Sequence, residues 1–256
     1  MWRYLWPLAQ AAAGARVAVA GARVRVPGPL RIRLSVVAGN VRLHRLIDRA
    51  VRPGATVVDV GANVGYNTVY ASRRVGAAGR VVAVEPAADN ARMLRENVAA
   101  NALDNVVVHA VAAGRSRGVR DLYLRGDVSA VNSFFQESVY ASVTGVEKVT
   151  VVPLDDLVEG ADLVKIDVEG AELDVLAGMP RLLRVPRLQL IVEWHPRLQE
   201  AAGYEADALP RFFLGRGFTL QAASHTRITP LTAADIAAAA GRLRRSGRPV
   251  ELVARR

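Results

Sequence analysis

From residue 57 onward the chain alternates two apolar patterns. Short, nearly unbroken runs read as strands buried on both faces: VVDV at 57–60, RVVAVE at 80–85, VVVHAV at 106–111 and LQLIVEW at 188–194. Between the first three lie segments of helical spacing, 66–75 and 87–103, the second with Ala91, Leu94 and Val98 on one face. Strands alternating with helices predict a parallel sheet covered on both faces, an α/β fold. The alternation breaks after 111. RDLYLR (120–125) and EKVTVVPL (147–154) read as strands around a polar insertion, 126–146, which has Gly126 and Gly145 near its ends and Phe134 and Phe135 in its middle. An insertion of this kind belongs over the carboxyl end of the sheet or at its edge, as a lid. The alternation resumes with DLVKIDVEG (162–170), a helix near 171–178 and another near 207–215. FTLQAA (218–223) and PVELVA (249–254) predict a final antiparallel pair around an Ala-rich helix at 232–245.

The first 50 residues lack that rhythm and read as an extension packed on a main domain, 51–256. RVRVPGPLRIRLSVV (23–37) alternates with period two around Pro-Gly-Pro, which predicts a hairpin, and 41–51 has helical spacing. The opening MWRYLWPLAQAAAGARVAVAGA imitates a signal peptide, but Pro7, Gln10 and Arg16 interrupt it. It reads instead as an amphipathic segment with Trp2, Tyr4 and Trp6 as apolar anchors, covering the core or touching a membrane weakly. The expected location is the cytoplasm.

Composition narrows the chemistry. Cysteine is absent, which excludes disulfides, a thiol nucleophile, thiolate zinc and iron–sulfur clusters. The net charge of +10 is almost all arginine, with Lys148 and Lys165 the only lysines. The arginines are scattered and no aromatic residues are interleaved with them. They read as a solvated surface, and nucleic acid is not the expected partner.

The most informative stretch is VVDVGANVGYNT at 57–68. A strand, a tight Gly turn and a helix start form an adenosine-cofactor site at the carboxyl edge of a sheet. A dinucleotide turn would read G-x-G-x-x-G, whereas here Gly65 follows Gly61 by four residues and Asn63 stands between them. Asp59, just before the turn, suits a ligand amino group and would repel a pyrophosphate. Asn63 tolerates left-handed backbone angles. The turn is therefore shaped for a methionine tail. Glu85, 20 residues after Gly65 at the next strand end, can accept hydrogen bonds from both ribose hydroxyls, and Pro86 follows it where a helix can start.

These stretches occur in order with LRENVAAN, NVVVHAVAAG, VTVVPLDDL and VKIDVEGAELDVLAGM. Together, over about residues 50–195, they resemble the FkbM family of S-adenosylmethionine-dependent methyltransferases. The resemblance implies the Rossmann-like class I methyltransferase fold: a seven-stranded, mostly parallel sheet of order 3-2-1-4-5-7-6 with strand 7, the last, antiparallel. It implies S-adenosylmethionine as cofactor and a hydroxyl acceptor on a small molecule, secondary metabolite or glycan. Asp59, Gly61, Asn63, Gly65 and Glu85 carry over as cofactor residues. Ala62, Asn67 and Thr68 belong to the same turn and helix start, Pro86 follows Glu85, and Ala110 lies in the segment expected beside the adenine.

A second constellation is KIDVEGAE, with Lys165 and Asp167 on one strand face and Glu169 and Glu172 in the next helical turn. Glu193 ends the following strand and His195 comes two residues later. Asp167 and Glu193 are expected to converge on the transferred methyl. Asp167, Glu169, Glu193 and His195 are the candidates for the base that takes the hydroxyl proton. Mg²⁺ held by the two strand-end acids is the competing reading, with the metal-free base preferred. A nucleic-acid (rRNA or tRNA) methyltransferase is the alternative function. It is disfavoured because the fourth strand ends in D-V-E-G rather than an Asn/Asp-Pro-Pro-aromatic turn.

Overall fold

The computed structural model describes residues 16–27, 30–125, 132–136, 142–224 and 227–256. The extension comprises β1 (Arg16–Val19), β2 (Ala22–Arg25) and α1 (Leu30–Ala50). The main domain begins with β3 (Thr56–Val60), α2 (Tyr66–Val75), β4 (Arg80–Val84), α3 (Ala88–Ala100) and β5 (Val106–His109). Three strands interrupt it: β6 (Ala112–Ala113), β7 (Gly118–Leu124) and β8 (Gly145–Val152). It continues with β9 (Leu163–Ile166), α4 (Glu172–Ala177), β10 (Gln189–Trp194), α5 (Pro196–Ala201) and α6 (Ala208–Leu214). It ends with β11 (Thr219–Ala223), β12 (Ile228–Pro230), α7 (Ile236–Ser246) and β13 (Val250–Arg255).

The main sheet has the order β12-β11-β13-β10-β9-β3-β4-β5. Strands β5, β4, β3, β9 and β10 are parallel, and β13 runs antiparallel to both its neighbours, β10 and β11. This is the order that the resemblance implies, with the short strand β12 added at one edge. Strands β6, β8 and β7 form a separate small sheet, and the interrupting segment is built on it.

Alternation along each strand divides the core into two layers. Val57, Leu163, Ile191 and Val253 face the β1–β2 hairpin, α1 and α2. Val58, Val164, Val192 and Leu252 face the opposite way, toward Leu176, Phe213 and Ile236. Two residues beyond the first set on β3, β9 and β10, and two before it on β13, the α1 side carries Asp59, Lys165, Glu193 and Glu251. Register pairs Asp59 with Lys165 and Glu193 with Glu251. The carboxyl end of the sheet thus ends in a charged layer beneath the extension.

The predicted hairpin at 23–37 is displaced. Its turn is Ala20–Gly21, and residues 30–50 are one helix. The strand alternation is real only to Val26, with Val24 and Val26 buried and Arg23 and Arg25 exposed. Past the Pro-Gly-Pro break, Val37, Leu43, Leu46 and Ile47 form a buried helical face. A five-residue alternation is too short to outweigh that longer pattern. Asn97 and Asn101, four apart on α3, clasp the hairpin. Each side chain accepts from one β2 amide and donates to the same residue's carbonyl, Arg25 for Asn97 and Arg23 for Asn101, over 2.8–3.0 Å. Residues 1–15 lie outside the described residues, and with them the aromatic anchors. No helix among the described residues is long and apolar enough to cross a membrane.

Candidate active site

The turn after β3 is held by its own backbone and by Glu85. Asn63 adopts a left-handed conformation, φ 50°, and its amide donates to Glu85 Oε2 at 2.8 Å. Its side-chain oxygen accepts from the Val64 amide at 2.6 Å. Glu85 Oε1 accepts from the Ala87 amide at 3.1 Å and from Asn90 Nδ2 at 3.2 Å. Burial pushes the Glu85 carboxyl above its usual range, and these hydrogen bonds partly offset the push. Gly61 and Gly65 have φ of 75° and 89°, the region that favours glycine. A Cβ on Gly65 would meet Leu94 Cδ1 at 2.4 Å, so α3 fixes the turn from one side.

A cleft of about 560 Å³ opens beside this turn. Gly61, Asn63, Glu85 and Pro86 form one wall, and Asp167, Val168 and Glu169 form another. Ala112, Ala113, Leu122 and Phe134 supply its apolar part. Phe134 comes from the insertion. There Ser133 pairs with Tyr123 of β7 and donates from Oγ to the Glu169 carbonyl at 2.8 Å. The Arg120 guanidinium lies 4.3 Å over the Phe134 ring. Residues 126–131 and 137–141, including Gly126, lie outside the described residues.

Several expected cofactor contacts are replaced by structural ones. Asp59 does not line the cleft. It is buried, accepts from Thr68 Oγ1 at 2.7 Å and pairs with Lys165 Nζ at 3.2 Å. Ala62 packs against Ala83 and Leu94. Asn67 turns toward His44 on α1. Ala110 is exposed, and Ala112, two residues on, reaches the cleft instead. Pro86 lines the cleft, but α3 starts only at Ala88, behind an Ala87 cap.

The Lys165 ammonium is the hub of the charged layer. It donates to the Gly61 carbonyl at 2.9 Å and lies 3.6 Å from Asp167 Oδ2. Burial pulls its pKa down, but the Asp59 and Asp167 carboxylates reverse that and raise it above the usual value. Asp167, Glu169 and Glu193 each bring a carboxylate oxygen within 4.8 Å of the others. Glu169 is not in the helix, as its spacing suggested. It sits in the preceding turn with φ 55°, and α4 begins at Glu172. Burial, then the charges of the neighbouring acids, Asp167 foremost, push both Glu169 and Glu193 well above the usual carboxylate range. Glu172 ties the loop: Oε1 accepts from the Val168 and Gly170 amides, and Oε2 accepts from Gln199 at 2.7 Å. Burial raises its pKa to about 7.

His195 does not join this group. It caps α5, with Nδ1 accepting from the Leu198 amide and Nε2 contacting the Gly247 carbonyl, both at 3.3 Å. Burial lowers its pKa. The sequence reading missed Arg42 and Glu251, an ion pair between α1 and β13 that closes the charged layer. An acid inside the apolar run PVELVA was the available signal.

The turn, Glu85 and the carboxylates at the ends of β9 and β10 all lie within a stretch that matches a known family. The methyltransferase FkbM domain matches residues 59–220, and the chain belongs to that family. The hexuronic acid methyltransferase AglP of Haloferax volcanii is 29% identical over 168 residues, 64% of this chain and 65% of AglP. The AMB antimetabolite synthetase AmbE of Pseudomonas aeruginosa is 28% identical over 205 residues. That match covers 65% of this chain and 10% of AmbE, so the chain spans less than two thirds of either relative. Among solved structures, a Clostridium thermocellum protein described as an rRNA methylase is similar with a TM-score of 0.50 and 14% identity, over 84% of this chain and 93% of that one. At that identity the likeness concerns the fold.

Proposed function

We propose that the protein is an S-adenosylmethionine-dependent O-methyltransferase that acts on a hydroxyl of a small molecule or glycan. One observation carries the reading: the Asn63 turn and Glu85 share a cleft with Asp167 and Glu169, carboxylates that continue to Glu193. Glu85 Oε1 already accepts from two donors, whereas Oε2 accepts from one and keeps a lone pair that suits a ribose hydroxyl. Gly61 lets the loop after β9 close onto the turn, and the acidic wall this builds suits an ammonium and a sulfonium. Asp167, which lines the cleft, replaces Asp59 as the counter-ion for the amino group.

When bound, the cofactor supplies a methyl on a positively charged sulfur that leaves as a neutral thioether. The chain then needs to align the acceptor oxygen, exclude water and take up one proton. Burial and the neighbouring acids raise the pKa values of Glu169 and Glu193, so where no cation engages them either carboxylate can take that proton. AglP, which acts on a hexuronic acid by its name, supports a sugar hydroxyl as acceptor.

Calorimetry with S-adenosylhomocysteine and with NAD tests the cofactor, and methyl incorporation into uronic-acid glycans, small phenols and RNA tests the acceptor. Binding of the thioether and labelling of a hydroxyl compound is the expected result. Binding of NAD alone, or labelling of RNA alone, overturns the reading.

A further inference from the structure

The convergence of Asp167, Glu169 and Glu193 needs a physical account. The three acids are half-buried, and three carboxylates within 4.8 Å repel one another. Their basic neighbours answer this in part. Lys165 is shared between Asp167 and Asp59, and Arg42 pairs with Glu251. Arg125 faces Glu169 but donates to the carbonyls of Tyr123, Phe135 and Gln136. Glu172 and Glu251 add further negative charge beside Glu193.

A second observation concerns one atom. Glu169 Oε2 is buried and meets no hydrogen-bond donor among the described residues. Buried carboxylate oxygens ordinarily have a donor. An oxygen without one, in a cluster with two other carboxylates, is the donor set of a hard cation.

We infer that Asp167, Glu169 and Glu193 form a binding site for one divalent cation of the oxygen-preferring class. Size can be checked. Ligand oxygens around Mg²⁺, at about 2.0–2.1 Å, stand at most about 4.2 Å apart, and around Ca²⁺, at about 2.3–2.6 Å, about 5 Å apart. The observed limit of 4.8 Å admits Ca²⁺ as it stands and Mg²⁺ or Mn²⁺ after a contraction of under about 1 Å. The ion deepens the methyltransferase reading, on which its role toward the acceptor rests. It stands at the cleft wall formed by Asp167 and Glu169, where its remaining positions face the acceptor and select for adjacent oxygen atoms. The binding of the ion itself does not depend on that reading.

The test uses the full chain stripped with chelator and titrated with Mn²⁺ alone, with no cofactor present, and followed by electron paramagnetic resonance of the free ion. One saturable ion per chain is expected, displaced by Mg²⁺ or Ca²⁺, with affinity at least tenfold weaker in Glu169→Gln and Glu193→Gln. Melting curves guard against a folding defect. In chelator the two variants should melt no lower than the parent, because a repulsion has been removed. Excess Mn²⁺ should raise the melting temperature of the parent and leave the variants nearly unmoved. Mn²⁺ binding of equal strength in parent and variants overturns the inference. So does absence of saturable binding in a protein that still takes up S-adenosylhomocysteine, a result that leaves the methyltransferase reading standing. Loss of S-adenosylhomocysteine binding with Mn²⁺ binding retained does the reverse.

Discussion

A Cβ on Gly61 would stand 1.8 Å from the main-chain oxygen of Asp167. The turn after β3 and the loop after β9 therefore touch backbone to backbone, and the same contact brings Asp167 to the cleft beside Gly61 and Asn63. Lys165 reinforces the contact by donating to the Gly61 carbonyl.

Gly61→Ala should accordingly separate the two loops. Its left-handed conformation alone costs on the order of 1 kcal/mol with a side chain, and the clash adds to that. Gly54→Ala also has positive φ, but nothing lies within 4 Å of the added atom. Urea denaturation should show a loss of roughly 1 kcal/mol for this control and a larger one for Gly61→Ala. Calorimetry should show S-adenosylhomocysteine binding abolished only in the latter.

Under the proposed function Glu85 both braces the turn and binds the ribose. Replacing it with Ala should remove charge-assisted hydrogen bonds to the ribose worth roughly 1.5–3 kcal/mol, about ten- to a hundredfold in affinity. It should also release the Asn63 and Ala87 amides and lower the melting temperature of the free protein. An unchanged dissociation constant for S-adenosylhomocysteine would move the ribose contact elsewhere.

Lys165→Met strands Asp59 in the core with Thr68 as its remaining side-chain donor. Breaking a buried pair from one side costs about 3–5 kcal/mol, far more than replacing both partners. Denaturation should therefore show Lys165→Met severely destabilised and the double variant Asp59→Asn/Lys165→Met partly restored. Equal stability of the two would mean that Lys165 answers Asp167 more than Asp59.

Glu172 makes a pH prediction with a defined sign. Its folded pKa is raised from 4.5 to about 7, so the folded state holds this proton more tightly than the unfolded chain does. The associated stability is fully present below pH 4.5 and is lost as pH rises through about 7. The loss is on the order of 3 kcal/mol. Glu172→Gln keeps the amide contacts, and Gln199, whose Oε1 is buried without a hydrogen-bond partner, can turn to accept from the new amide. In divalent-free buffer the melting temperature of Glu172→Gln relative to the parent should rise between pH 5 and pH 8. Using the difference removes the opposite trend from His44. Burial lowers the His44 pKa to about 3, and that contribution is lost as pH falls below 6.5.

The strands and the turn after β3 were legible because their signals are local: unbroken apolar runs, a Gly-Asn-Gly turn, an acid at a fixed distance; the sheet order came from the family resemblance alone. The roles of individual polar residues were less so. Asp59 and His195 have the right chemistry for function, and the structure engages both internally, with Lys165 and with two backbone groups. Such pairings join residues 106 and 52 positions apart, counting from Asp59 to Lys165 and from His195 to Gly247, and no spacing rule reports them. The hairpin was displaced for a related reason. Asn97 and Asn101, which hold it, lie more than 70 residues downstream.

Strand β13, the last in sequence, lies between β10 and β11. During synthesis, then, both of those strands wait with an open edge until residues 250–255 have left the ribosome. Open edges bearing Leu190, Val192 and Leu220 are templates for pairing with other nascent chains. Fragments that stop at α7 should accumulate as aggregates, and this chain should depend on chaperones most in the interval before β13 is free to insert.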